Sequence, residues 1–317
     1  MEKVQKRQSP DILQNLRTLL KVSRPFLWVN TAYTFGFCYV MAALSFKIEG
    51  TTPYNLLVII QQPFFITTLF FFLIPYNIIL YGVNDVFDYE TDLKNARKLE
   101  TNLEGKVLSP EYHSFILWTA AMLAIIFGII YTFYLDFNLL VYISMFLVAL
   151  AYSVKPIQLK ARPFLDFISS SFHYTISAFF ALYYFYDAAK FHIAEQVTVE
   201  YVSLWKLLPL FIWGFSSHIL GAIPDIDADK DTGLRTTAVV LGKRLSLVLV
   251  FLFYAIASVL FLYYFKWWAL GTLLYPALVW VKNDGMRNRY QIYLNYANGA
   301  VVTIALFAKA VIPYLSK

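Results

Sequence analysis

"PFFITTLFFFLIPYNIILYGVNDVFDYETD", residues 63–92, changes its solvent partway along. Residues 63–83 carry no charge and, as a helix, are long enough to cross the hydrocarbon core of a bilayer, about 30 Å thick. The next nine residues hold one amide and four acids. Charge at a membrane boundary is ordinary; oxygen donors at a fixed interval are less so. Asn84, Asp88 and Asp92 are four apart and therefore share one helical face.

The rest of the 317-residue chain fits a lipid environment. It is 59% hydrophobic and 19% aromatic but only 15% charged, against about 25% for soluble domains. Mean hydropathy is +0.58. Apolar runs predict nine spanning helices at 25–46, 61–83, 113–134, 137–154, 163–187, 203–224, 244–264, 267–282 and 293–314. The expected architecture is all-α: a polytopic membrane protein whose nine helices bundle around a central cavity capped on the cytosolic side. Residues 1–24 form a basic N-terminal segment, and 25–317 a single transmembrane domain. The first apolar run spans a full bilayer without a small-residue cleavage site, so it reads as a retained helix.

Twenty of the 26 lysines and arginines fall in segments 1–24, 84–112, 152–163, 225–244 and 282–290. This split places the N-terminus and those segments in the cytosol, with the longest outer connection at 188–202. The net charge of +6 is spread along these edges without a basic–aromatic groove, so nucleic acid is not an expected partner. The lone Cys38 cannot form an internal disulfide, and the four histidines lack zinc-ligand spacing.

The predicted second and sixth spans both run inward and both end in acids. The sixth gives "PDIDADKDTG", residues 224–233, in which Asp225 and Asp229 again share a face. Four helices separate the two clusters, the spacing expected of a duplicated four-helix unit. Asp85 and Asp227 point away from these stripes, toward solvent or behind the ligands. Oxygen donors of this kind suit Mg²⁺, which is commonly shared between carboxylates and substrate phosphates. Two facing stripes could hold two or three Mg²⁺ ions on one diphosphate and neutralise it as a leaving group. A single acidic stripe is more often a solvated helix cap; two matched stripes on one side favour ligation.

Basic residues follow the fourth span in "AYSVKPIQLKARP", residues 151–163. Tyr152 and Lys155 share a face, and Lys155 is the expected phosphate partner. Lys160 and Arg162 read equally well as phosphate partners or as positive-inside anchors. Arg24 reads as an anchor within reach of the diphosphate. His218 lies seven residues before Asp225 on nearly the same face, lining the cavity or buried and hydrogen-bonded; His173 allows the same two readings. Asn77 reads as packing, and Asn30 stays open between packing and binding. Rings from the abundant aromatics could shield a carbocation.

These pieces are similar to a known family. "NDVFDYETD" matches the NDxxDxxxD motif of the UbiA superfamily of intramembrane prenyltransferases. "DIDADKDTG" resembles its second motif, DxxxD followed by glycine, and "YSVK" its YxxK element. The resemblance covers essentially the whole chain. It implies Mg²⁺-dependent transfer of a prenyl group from a prenyl diphosphate to a lipophilic acceptor, in a chamber open to the bilayer. Asn84, Asp88, Asp92, Asp225 and Asp229 would hold Mg²⁺–diphosphate, with Asp85 in the motif by spelling; Lys155 and Tyr152 would help bind or release the diphosphate. Pro224 leaves the facing of Asp229 in question. "SRPFLWVNTAY", "YGVNDVFDYETDLKNARK" and "GAIPDIDADKDTGLRTTAVVLG" most resemble the lycopene elongase branch, which prenylates linear carotenoids; an aromatic acceptor, as in quinone biosynthesis, is the alternative. An ion-coupled transporter would place acids near the bilayer midplane, and none sits there. A phospholipid-type phosphotransferase would need a DG pair that "NDVFDYETDLKNAR" lacks.

Overall fold

The computed structural model describes residues 11–45, 56–94, 107–192 and 204–315, and every regular element among them is helical. Most of the expected outer connection, from 193 to 202, lies outside the described residues, as do residues 1–10. We label the helices α1 (Ile12–Val22), α2 (Ala32–Ser45), α3 (Pro63–Leu73), α4 (Val83–Phe87), α5 (Tyr89–Asp92), α6 (His113–Ile129) and α7 (Leu139–Ser153). They continue as α8 (Leu165–His192), α9 (Leu208–Ala222), α10 (Ile226–Asp231), α11 (Thr237–Phe265) and α12 (Asp284–Leu315).

Five stretches are long and apolar enough to cross a membrane: Pro25–Ala43, Pro63–Phe87, Pro110–Tyr134, Leu204–Asp231 and Thr237–Trp280. Leu139–Ser153 is a shorter apolar helix. Helices α8 and α12 match the others in length but also bury polar side chains, such as Ser169, Ser171 and His173 on α8 and Arg287, Asn288 and Gln291 on α12. Large apolar side chains point outward instead, among them Trp118, Phe133, Leu140 and Ile304, each more than two-thirds exposed. That inversion suits lipid as the surrounding solvent.

Local breaks in the helices have identifiable causes. Pro75 lacks an N–H and interrupts the second span, which continues as a π-helical turn over Ile78–Gly82. The carbonyls freed by the break need donors in a lipid interior. Asn77 Nδ2 donates to Phe72 O at 2.7 Å and Leu73 O at 3.0 Å, while Thr31 Oγ1 donates to Phe72 O at 2.9 Å. Asn77 is thus a packing amide. Gly242 (φ 71°) divides α11, so the long span begins near the expected residue 244. Lys266 (φ 54°) ends α11, and the expected span 267–282 is a 3₁₀ helix over Lys266–Trp280.

The sequence reading placed 282–290 in a cytosolic loop and began the last span at 293. The structure instead starts α12 at Asp284 and buries Arg287 to 2% exposure. Three partners make that burial tolerable. Arg287 donates to Leu278 O at 3.1 Å and to Val281 O, and pairs with Asp284 at 2.5 Å. One arginine therefore closes the end of the 3₁₀ helix and the start of α12 together.

Two aromatic-rich cores hold the bundle. One joins α2, α3, α6, α7 and α8 around Phe71, Phe72, Tyr131 and Phe180; the other joins α8, α9 and α11 around Trp213, Tyr254 and Tyr275. Helices α8 and α9 approach closely at Gly214, where a Cβ would stand 3.0 Å from the Ser171 backbone. The bundle closes between first and last spans, where Tyr33 OH donates to Gly299 O at 2.7 Å and Asn295 Nδ2 to Asn30 Oδ1 at 2.8 Å.

Candidate active site

Backbone register carries the first acid row across a kink. Asp88 (φ −95°, ψ −1°) separates α4 from α5, yet Asp88 N bonds Asn84 O at 2.9 Å and Asp92 N bonds Asp88 O at 2.8 Å. The four-residue repeat from Asn84 through Asp88 to Asp92 therefore survives the break. On the other row Pro224 turns the chain through a short 3₁₀ segment, and α10 starts directly after Asp225. Asp229 nevertheless faces the site: it lies within electrostatic reach of both Asp225 and Asp88. Asp227 is exposed on the far side.

The basic partners differ from the sequence expectation. Lys160, 8% exposed, pairs with Asp88 and donates to Asn84 Oδ1 at 3.1 Å. Ser153 Oγ donates to the same Asn84 oxygen at 3.0 Å. Lys155 is exposed instead. It follows the last turn of α7, and the chain must still travel five residues before a lysine reaches the acids. Arg162 is also exposed and ties its own loop, donating to Ile157 O at 2.8 Å and Pro156 O at 3.2 Å. Asp85 is buried at 3% and takes Arg24 NH2 at 2.5 Å, so it stands behind the acid row rather than in solvent. Arg24 also lies over the Tyr81 ring, 4.3 Å from its centroid.

Behind the acids lies a cavity of ≈ 240 Å³ lined by Arg24, Asn30, Asn84, Tyr152, His173 and His218 among others. Tyr152 meets the His173 and His218 rings edge-on at 5.2 and 6.3 Å. A second cavity of ≈ 580 Å³ is lined mainly by apolar and aromatic side chains, including Tyr33, Trp213, Phe261 and Tyr275. Asn30 and Tyr174 border both cavities, so the polar pocket and the apolar chamber share a wall.

Several functional candidates escaped the sequence reading. Asp166, fully buried at the start of α8, accepts Thr237 N at 2.7 Å and Thr237 Oγ1 at 2.5 Å. Neighbouring Thr236 caps α11 and donates to Asp229 Oδ2 at 3.3 Å. Asp166 therefore fixes the segment that orients the second acid row. Asp166→Ala is expected to destabilise the chain by about 1–3 kcal/mol, because it strands buried donors. Thermal unfolding in detergent measures this, and an unchanged midpoint would show that the anchor contributes nothing. Helix α12 adds Asn288, Gln291, Asn295 and Asn298 on one inward stripe, with Gln291 donating to Ser217 Oγ at 2.5 Å. Their spacing of three, four and three was legible as a polar helical face.

The donor set fits Mg²⁺. Among the described residues no three His, Cys, Asp or Glu side chains form a ready-made cage. Mg²⁺ does not need one: it keeps waters and binds through one or two carboxylates plus substrate phosphates. Asn84, Asp88, Asp92, Asp225 and Asp229 offer hard oxygens of that kind at one end of the bundle.

The chain matches the UbiA prenyltransferase family over residues 37–290. A lycopene elongase/hydratase of Corynebacterium glutamicum is 33% identical over 311 residues, covering 94% of this chain and 99% of that protein. A UbiA homolog from Archaeoglobus fulgidus, solved bound to DMAPP and Mg²⁺, superposes with a TM-score of 0.59 at 17% identity, covering 89% and 99% of the two chains. The apo structure of a UbiA homolog from Aeropyrum pernix K1 gives 0.62 at 18%, covering 88% and 98%. The solved structures speak for the fold, and the family match and the bacterial relative speak for descent: the chain belongs to the UbiA prenyltransferase family and is an integral membrane prenyltransferase.

Proposed function

We propose that this enzyme uses Mg²⁺ to transfer a prenyl group from a prenyl diphosphate, with dimethylallyl diphosphate as donor and a linear carotenoid of the lycopene type as acceptor. One observation carries the reading: Arg24 and Asn84, the first member of the first acid row, line a polar pocket that shares Asn30 and Tyr174 with a larger apolar, aromatic chamber. A diphosphate suits the first and a long isoprenoid the second. The lycopene elongase/hydratase name of the bacterial relative supports the carotenoid acceptor. The lysine and arginine distribution supports a cytosolic N-terminus and site within a nine-span domain of the cell membrane.

Each group has a task in this reading. Bound Mg²⁺ supplies charge neutralisation as the allylic C–O bond breaks and diphosphate leaves with the electron pair. Asn84, Asp88, Asp92, Asp225 and Asp229 hold the metal end of the substrate. Lys160, already beside Asn84 and Asp88, gives a point charge to a phosphate oxygen. Arg24, fixed by Asp85, closes the same end. Tyr152 and Tyr174 present rings toward the reacting carbon, where their π-faces favour positive charge.

The test supplies lycopene and dimethylallyl diphosphate to membranes containing the enzyme and follows carotenoid mass. Longer carotenoids are expected with Mg²⁺, and EDTA should remove them. Prenylation of aromatic acids or quinone precursors, with lycopene untouched, would replace the carotenoid acceptor by an aromatic one. Turnover indifferent to EDTA would refute the metal assignment.

A further inference from the structure

Helix α1 carries an apolar face that the bundle leaves largely uncovered. At 3.6 residues per turn, Leu19, Ile12, Leu16, Leu20 and Leu13 fall in that order on one arc of about 120°, while Arg17, Lys21, Gln14 and Thr18 follow around the other side. Only one edge of the arc meets protein: Leu19, with Val22 beyond it, clusters with Val86, Leu108 and Ile116. Ile12, Leu13, Leu16 and Leu20 are 76, 53, 58 and 48% exposed. Phe26, at the start of the first apolar stretch, is 52% exposed as well. Arg17 and Lys21 are exposed beside this face, and residues 1–10 add Lys3, Lys6 and Arg7 against one acid, Glu2.

The position of α1 ties it to the acid rows. Val22 Cγ1 would stand 3.1 Å from a Cβ at Gly82, and Val86, its neighbour in the cluster, lies between Asn84 and Asp88. The chain then turns at Arg24 (φ 49°), a left-handed conformation uncommon for a non-glycine residue. Trp28 Nε1 donates to Ser23 O at 3.0 Å across that turn. Arg24 itself pairs with Asp85. The angle between α1 and the first span is therefore set at the residue that reaches the acid row.

We propose that α1 docks on anionic phospholipid headgroups of the leaflet at the acid-row end, and that docking holds Arg24 against Asp85. The apolar arc sits at the acyl boundary, and Arg17 and Lys21 meet lipid phosphates. A helix that is apolar on one side, basic beside it and joined directly to a membrane span suits that layer. A second copy of α1 would offer Arg17 and Lys21 only Asp11 as an acid, whereas a headgroup layer offers phosphate to both. The link from docking to donor binding rests on the prenyl-transfer reading; the docking itself does not.

The test uses the full chain with Leu16→Cys and Cys38→Ala, labelled at residue 16 with a polarity-sensitive fluorophore. It is placed in nanodiscs of phosphatidylcholine with rising phosphatidylglycerol and a nitroxide-bearing lipid. Quenching by the nitroxide is expected to rise with phosphatidylglycerol and to fall at high salt. Arg17→Gln and Lys21→Gln should each weaken docking about fivefold, read as a larger phosphatidylglycerol fraction at half-maximal quenching. In the unlabelled chain phosphatidylglycerol should lower the KM for dimethylallyl diphosphate by about fivefold, the low end of linked-site effects, and the double variant should lose that response. A label that stays unquenched, or that self-quenches between two copies, overturns the docking. Quenching indifferent to phosphatidylglycerol and salt overturns the anionic partner. Docking with an unmoved KM overturns the link through Arg24. Docking as expected with no prenyl transfer in any disc overturns the prenyl-transfer reading and leaves the docking standing.

Discussion

Asp88→Asn and Asp225→Asn are each expected to lower prenyl transfer by roughly 10²–10³-fold, with the chain still inserted and folded. The exchange keeps shape and one oxygen but removes a charge. Hydrogen bonds that position the rows survive it: Asp88 N still reaches Asn84 O, and an amide oxygen still accepts from Lys160. What disappears is the anionic ligand for a metal that must remain in place while diphosphate builds up charge. Asp225 is the sharper of the two tests. It lies just past Pro224, on the turn that leads into the short helix bearing Asp229. Activity in Asp225→Asn equal to the unaltered enzyme, at equal amounts in the membrane, would remove the second row from the metal site. Raising Mg²⁺ should recover part of the lost rate in both variants, since weakened ligation is offset by mass action.

The acid rows could be read from the sequence because their signal is local. A four-residue interval maps to one helical face whatever surrounds it, and the register persisted through the kink at Asp88. Helix positions were legible for a similar reason, since lipid imposes a run length. What escaped were groups whose role depends on a partner distant in sequence. Asp166 is an isolated acid near the start of an apolar run, and only the fold brings it to Thr237, 71 residues away. Arg287 counts in the sequence only toward the charge of its segment, and its partners, carbonyls of the preceding 3₁₀ helix, come from the fold. The amides of α12 had helical spacing, but the run containing them was assigned partly to a loop. Bases were the hardest to assign. Lys155 shares a helical face with Tyr152 by counting, yet the helix ends at Ser153, so the count no longer applies two residues later.

That ending sets the contrast between Lys160→Ala and Lys155→Ala. Lys160→Ala is expected to raise the KM for prenyl diphosphate by roughly 10–100-fold, the worth of a charge-assisted hydrogen bond made in a partly buried site. The acceptor KM should move little, because the apolar chamber does not include this side chain. Lys155→Ala should stay within about twofold, as expected for an exposed charge screened by solvent. Removing Lys160 also takes a cation from beside Asp88, whose side chain is 15% exposed, so the variant should unfold at lower temperature. Mg²⁺ should restore more of that stability than it adds to the unaltered protein, because a second cation then replaces the lost one. Lys160→Arg separates charge from geometry: a recovered melting temperature with a raised diphosphate KM would mean that the compact ammonium, rather than positive charge alone, meets the phosphate. The reverse order, with Lys155→Ala crippling donor binding and Lys160→Ala tolerated, would mean that the loop after α7 rearranges when substrate arrives and that the Lys160–Asp88 pair belongs to the resting enzyme alone.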